Sequence, residues 1–340
     1  MGLTKRAGGL GILGFVACAC LALLAAGSSS ASASDVGYQY FVYGDPADAT
    51  TATTPGLLLA GGATDQDDAM KWMIDLSGGG DFVVLAASGT DDYSSYIYND
   101  LGGVNSCETF IFGKRSASYD PFLLDKLRHA EAIFIDGGNQ WLYYKYWQGT
   151  PVEEVINEAA RTKPVGGISA GLAVQGEFAY VAELGTIVSR QALANPFHSH
   201  VTLVNDFLSL PYLADTITDS HFVARDRMGR HVTFLARIVH DGWAPQARGI
   251  AVDESNTLVV DEHGQARMYG AGAIYFTRTN GAPQVCEKNV PLTYKGISVY
   301  RLSGDATFDL TTWKGRGGAA YSVSAIEGVL SSTQPGGSIY

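Results

Sequence analysis

The sequence predicts an α/β protein on an open, mostly parallel sheet with helices on both faces, followed by antiparallel C-terminal strands. Three observations carry this. Short apolar runs end in Gly or Ser, segments with helical spacing lie between them, and after Pro196 the pattern changes to closely spaced strands with Gly-rich turns. Apolar strands that alternate with helices pair in parallel, and parallel strands buried on both faces read as continuous apolar runs. No repeat of 20 to 50 residues is present, so one large α/β domain is expected over residues 57–320, with an active site at the carboxyl ends of its strands.

Residues 1–33 are expected to be a secretory signal peptide. Lys5 and Arg6 precede an apolar run over 11–26, and the small residues of 27–34 include Ala31-Ser32-Ala33, a cleavage pattern. The run is shorter than the ~20 residues that span a bilayer, which argues against a membrane anchor. A lipidated Cys18 or Cys20 fits poorly with Phe15-Val16-Ala17 before it. A secreted or extracytoplasmic protein with no stable membrane anchor is therefore expected.

Residues 34–56 form a Tyr-rich strand at 38–43 and a loop with two prolines. The alternation then begins: strand 57–60, helix 67–76, strand 82–87, strand 106–112, helix 122–130, strand 132–135 and helix 152–161. A helix over 226–238 follows, then strands at 249–252, 257–260, 273–277 and 297–300. Residues 321–340 are a Gly/Ser-rich segment without an assignable element.

The chain has 23 Lys plus Arg against 34 Asp plus Glu, a net charge of −11. Removing residues 1–33 deletes Lys5, Arg6 and no acid, and takes the net to −13. No excess of cations is available to grip a phosphate backbone, so nucleic acid is excluded as a partner. Beyond residue 33 only Cys107 and Cys286 remain. In an oxidising compartment they could form a disulfide worth up to about 5 kcal/mol in the chain-entropy model, or stay as two thiols.

The sharpest chemical feature is Val165-Gly166-Gly167-Ile168-Ser169-Ala170-Gly171. A strand entering a Gly-x-Ser-x-Gly turn that opens a helix is a nucleophile elbow, which leaves the Ser169 hydroxyl clear of the sheet. The amide of Ala170 then faces a developing oxyanion. Ile133-Phe134-Ile135-Asp136-Gly137-Gly138-Asn139-Gln140 makes a second turn of this kind, whose Gly138 could supply the other oxyanion amide and whose Gln140 could face substrate. Among seven histidines His221 is the best-placed base, ahead of His129 and of the His198-x-His200 pair, which lacks obvious further metal ligands. Arg225, Arg227 and Arg230 follow His221 within nine residues. Arginine recognises carboxylates with a fork of donors, so this cluster suggests a substrate with a carboxylate near the scissile bond.

Gly-Gly-Asn-Gln at 137–140, Gly-Ile-Ser-Ala-Gly at 167–171, Asp-Ser-His-Phe at 219–222 and its arginines make the chain resemble the cyanophycinase family of serine exopeptidases. Gly249-Ile250-Ala251-Val252-Asp253-Glu254 is similar to a further family segment. The resemblance covers roughly residues 57–277. It implies a glutamine-amidotransferase-like fold shared with aspartyl dipeptidases, with Ser169 as nucleophile and His221 as general base and acid. It also implies that Gly138 and Ala170 form the oxyanion hole and that Gln140, Asp219, Arg225, Arg227 and Arg230 hold substrate. Ser220 stands where the family has a substrate-contacting glutamine, Ile168 where it has a threonine and Leu172 where it has an alanine. The acid that orients the histidine should precede Asn195-Pro196, where no carboxylate stands. Gln191 or Glu183 could take its place.

The expected function is an exported serine exopeptidase that hydrolyses peptide or isopeptide bonds next to aspartyl residues, through an acyl-enzyme and with no metal or organic cofactor. A homodimer stays open. Two rivals remain: an α/β-hydrolase esterase with Asp253 and His263 as the acid and base, and a secreted peptide-binding protein on an inactive hydrolase scaffold.

Overall fold

A computed structural model describes residues 36–340. The expected leader at 1–33 lies outside the described residues. In chain order the strands are β1 Tyr38–Gly44, β2 Gly56–Ala60, β3 Asp81–Ala86, β4 Ser106–Phe112, β5 Ala132–Ile135 and β6 Pro164–Ile168, then β7 Ala179–Tyr180, β8 Leu203–Val204 and β9 Thr216–Asp219. They continue with β10 Arg248–Val252, β11 Thr257–Val260, β12 Gln265–Tyr269, β13 Ile274–Arg278, β14 Tyr294–Leu302, β15 Thr307–Asp309, β16 Lys314–Arg316, β17 Ala319–Ile326 and β18 Val329–Ser332. The α-helices are α1 Asp67–Leu76, α2 Pro121–His129, α3 Gln140–Trp147, α4 Pro151–Ala159, α5 Ala170–Ala173, α6 Ser189–Ala194 and α7 Met228–His240. Among the described residues, no helix is long and apolar enough to cross a membrane.

The main sheet runs β1-β4-β3-β5-β6-β2-β11-β12-β15-β16. Its five strands from β4 to β2 pair in parallel, and antiparallel strands close both sides. Period-two alternation sorts their side chains. Leu57, Leu59, Val83, Leu85, Ile133 and Ile135 pack with Leu123 and Leu127 of α2 and Val152 and Ile156 of α4. Leu58, Ala60, Phe82, Val84 and Phe134 point the other way, onto Ala69, Met70, Met73 and Ile74 of α1. Each large side chain so buried contributes roughly 1.5–3 kcal/mol. Both faces are thus helix-covered, which is why these strands read as unbroken apolar runs.

A second sheet, β18-β17-β14-β13-β10-β9, is antiparallel except for β9 beside β10. It packs against α7, whose Val232, Phe234, Leu235 and Ile238 are fully buried. The chain passes from this sheet back to the main one through residues 253–256, between β10 and β11.

The structure decides between the two states left open for the cysteines and corrects the reading of the C-terminal segment. Cys107 and Cys286 are both free and buried. Cys107 sits in the α1-side core of the main sheet and Cys286 in the core of the second, so each thiol is enclosed by a different layer. Residues 321–340 are not without structure: β17 runs through the 320/321 boundary, and with β18 it makes a hairpin on the edge of the second sheet.

Candidate active site

Four strand ends meet at one place. Ser169 follows β6, Gly61-Gly62 follow β2, Asp136 to Gly138 follow β5, and Ser220-His221 follow β9 of the second sheet. The Gly61-Gly62 turn ties them together. The Ser169 amide donates to the Ala60 carbonyl (2.9 Å), the His221 amide to the Gly61 carbonyl (2.9 Å) and the Ser255 amide to the Gly62 carbonyl (2.8 Å). Gly62 has φ +110°, and a Cβ there would lie 2.3 Å from Cε1 of His221. Only glycine satisfies that conformation and that approach together.

The elbow itself is strained. Ser169 has φ 53° and ψ −103°, a region that costs of order 1–3 kcal/mol for a residue with a Cβ. Its neighbours must be small: a Cβ on Gly171 would stand 2.0 Å from the carbonyl oxygen of Ile135. The strain presents the hydroxyl to the base, with Ser169 Oγ 2.7 Å from His221 Nε2. The His221 ring is 7% exposed, and on its far side Nδ1 lies 2.7 Å from Glu254 Oε1. With the proton on Nδ1 the ring donates to Glu254 and accepts from the serine hydroxyl.

Glu254 was not identified as the histidine's partner by sequence. Gln191 and Glu183 are exposed residues of and near α6, and neither meets the ring. The ring's carboxylate comes instead from the loop that joins the two sheets. Asp253, nominated beside His263, accepts from the amides of Val223 and Ala224 at 2.9 Å each, and the His263 side chain is 76% exposed beside Glu262. That pair is not brought to Ser169. His198 and His200 pack ring against ring at 5.0 Å and line neither cavity next to Ser169.

Burial lowers the His221 pKa from its ordinary 6.5, and the charges of Arg225 and Arg227 push the same way, while Glu254 opposes them. The hydrogen bond from His221 in turn lowers Glu254 below the usual carboxylate range. A neutral imidazole beside an ionised carboxylate is the state a general base needs near neutral pH.

Ser169 and His221 stand between two cavities of opposite charge. One, of about 300 Å³, is lined by Gly138, Gln140, Ser220, Arg225, Arg227 and Arg230 among others. Gln140 is fixed through its Nε2, which donates to the Tyr180 carbonyl at 2.7 Å. Arg227 donates to the Ser220 carbonyl at 2.7 Å. Burial lowers its pKa to about 10, and the neighbouring Arg230 and Arg225 charges add to this, so it keeps its charge at neutral pH. The amides of Gly138 and Ala170 have no hydrogen-bond partner among the described residues. Tyr143 clamps the turn before Gly138, its hydroxyl within 2.8 Å of the Asp136 carbonyl and 2.7 Å of the Gly137 carbonyl.

The other cavity, about 610 Å³, is lined by Asp65, Asp67, Asp92, Asp136, Tyr93 and Tyr96. Burial raises the Asp136 pKa to about 7, with Asp92, Asp65 and Asp91 adding to it. This acidic wall went unread, because its members come from three separate turns with no shared motif.

Asp219 is corrected from substrate contact to internal support. It is 2% exposed and forked onto Arg230, whose Nε lies 3.0 Å from Oδ2 and whose terminal nitrogen bonds Oδ1. Burial alone would raise its pKa, but Arg230 and Arg227 outweigh it and hold the carboxyl below its ordinary 3.8. The resulting stabilisation is complete above about pH 3.8 and is lost as the pH falls through the lower folded value. Asp219→Asn leaves Arg230 buried without its counter-charge. We expect about 3–5 kcal/mol of destabilisation by chemical denaturation; a midpoint unchanged from the parent would contradict this support role.

The sequence pattern of Peptidase family S51 matches residues 57–265. A cyanophycinase of Synechococcus elongatus is 27% identical over 241 residues, 68% of this chain and 69% of the relative. One from Trichormus variabilis is 30% identical over 192 residues, 54% of this chain and 58% of the relative. Among solved structures, a peptidase from an acI-B1 Actinobacterium is 16% identical, with a TM-score of 0.48 over 66% of this chain and 91% of that one.

Proposed function

The chain belongs to peptidase family S51, and on that premise we propose that it is an exported serine exopeptidase acting on peptide or isopeptide bonds beside an aspartyl residue. The observation that carries this reading is the unbroken relay Ser169–His221–Glu254, with 2.7 Å at each step. His221 takes the proton of the Ser169 hydroxyl as Oγ attacks the scissile carbonyl. The oxyanion is received by the amides of Gly138 and Ala170. His221 then protonates the leaving amine, and water, deprotonated by the same ring, releases the acyl group from Ser169.

The arginine-lined cavity supports the aspartyl specificity, because Arg225 and Arg227 at its wall favour a carboxylate on the acyl side, while the fork of Arg230 is held by Asp219. The acidic cavity opposite suits a leaving half that carries positive charge. Export rests on the layout of residues 1–33.

Product analysis on a panel of α- and β-aspartyl dipeptides tests this reading. Dipeptides with a free aspartyl carboxylate should be cleaved at least tenfold better, by kcat/KM, than the matched asparaginyl compounds, whose amide cannot accept a charge-assisted pair. Equal rates on both series would remove the arginines from the argument, and no cleavage of either would favour the binding-protein rival.

A further inference from the structure

Tyr340 lies 75 positions beyond the last residue matched by the family pattern, yet it touches the segment that carries the base and the arginines. Its hydroxyl donates to Asp226 Oδ1 at 2.9 Å and accepts the Met228 amide at 2.9 Å. Its ring meets Phe222 edge-on, with centroids 5.7 Å apart, and Tyr275 at 5.9 Å. One side chain therefore holds both ends of the loop from Phe222 to Met228, which bears Arg225 and Arg227. That loop needs holding. His221 has φ 46° and Asp226 has φ 47°, two left-handed residues with side chains inside six positions. Asp253 anchors the middle of the loop by accepting from the Val223 and Ala224 amides at 2.9 Å each, and the Ser189 hydroxyl donates to the Asp226 carbonyl, which leaves the Asp226 side chain and the Met228 amide to Tyr340. The partner is well chosen: burial raises the Tyr340 pKa far above its ordinary value, with Asp226 adding to it, so the phenol keeps the proton it donates.

We propose that Tyr340 is a positioning residue for carboxylate recognition: through Asp226 and the Met228 amide it fixes the loop that presents Arg225 and Arg227 to the substrate. The proposal rests on the reading that those arginines hold a carboxylate. It assigns specificity to a region outside the family pattern and predicts that selectivity, more than turnover, depends on it.

The test compares the parent with Tyr340→Phe, which keeps the ring and loses the hydroxyl, and with Asp226→Asn, which keeps a residue tolerant of positive φ and loses the charge. Each is titrated with succinate and with its monoamide succinamate, and assayed on the aspartyl and asparaginyl dipeptides. We expect both variants to bind succinate roughly tenfold more weakly and to raise KM for the aspartyl substrate by a similar factor. Succinamate binding and kcat should stay within about twofold. A merely structural role would weaken both ligands alike, and that outcome overturns the proposal. Parental succinate affinity in both variants overturns it while leaving the arginine pocket intact. Absence of succinate binding in the parent itself overturns the pocket and the proposal together.

Discussion

Ser169→Ala is expected to lower kcat/KM on the best aspartyl dipeptide by about 10⁴-fold or more. The size follows from what the substitution removes. Oγ is the atom that attacks, and its 2.7 Å contact to His221 Nε2 is the route by which it loses its proton. No other hydroxyl is held against that ring nitrogen among the described residues. The fold should survive, because alanine keeps the Cβ that the elbow already tolerates at φ 53° and keeps the hydrogen bond from its backbone amide to the Ala60 carbonyl. Circular dichroism and the thermal midpoint should therefore match the parent within a few degrees. A fluorophosphonate probe should label the parent at Ser169 and fail on the variant. Turnover at more than a tenth of the parental rate would remove Ser169 from the chemistry, and a parent that resists the probe yet cleaves the dipeptide would point to a different nucleophile.

The sequence exposes those parts of the site whose chemistry is local. The elbow is legible because glycine spacing, strand end and serine all sit within seven residues, and His221 because three arginines trail it. The α/β alternation is legible because strands buried on both faces lack the polar break that would disguise them. Other parts depend on long-range packing. Helix α3, with the sequence Gln-Trp-Leu-Tyr-Tyr-Lys-Tyr-Trp, is aromatic on nearly every side, so it carries no 3.6-residue contrast to read. In the hairpin of β17 and β18, alternation is confined to Tyr321, Val323 and Ala325 against Ser322 and Ser324, a run too short to stand out in a Gly/Ser-rich tail. The missing acid illustrates the same limit. Glu254 ends the segment Gly249-Ile250-Ala251-Val252-Asp253-Glu254, and its clue was position alone: a carboxylate just past the end of a buried strand. The segment before Asn195 offers only Gln191 and Glu183, because chain order does not supply what the meeting of two sheets provides.

Glu254→Gln is the second change with a large expected effect, a fall in kcat of about 10²- to 10⁴-fold. Glutamine preserves the side-chain length, so the loop between β10 and β11 can keep its anchor from Asn256 Nδ2 to the Glu254 carbonyl at 2.7 Å. What goes is the negative charge that fixes the tautomer and stabilises the imidazolium formed as Ser169 attacks. The pH profile separates this from a packing defect. In the parent, His221 titrates below its ordinary 6.5 because burial and then the neighbouring arginines outweigh Glu254. Activity should rise with pH through that lowered value and be flat at neutral pH. Removing the one group that raises the pKa moves the acid limb to still lower pH while the plateau drops. The stability sign agrees: a histidine with a depressed folded pKa contributes above about pH 6.5, and its contribution is lost as pH falls through the folded value. Gln191→Ala and Glu183→Ala should leave both rate and acid limb at parental levels, since neither side chain reaches the ring. If Glu254→Gln turns over at the parental rate with its acid limb unmoved, the relay ends at His221, and the carboxylate 2.7 Å from its ring is only a surface ion pair.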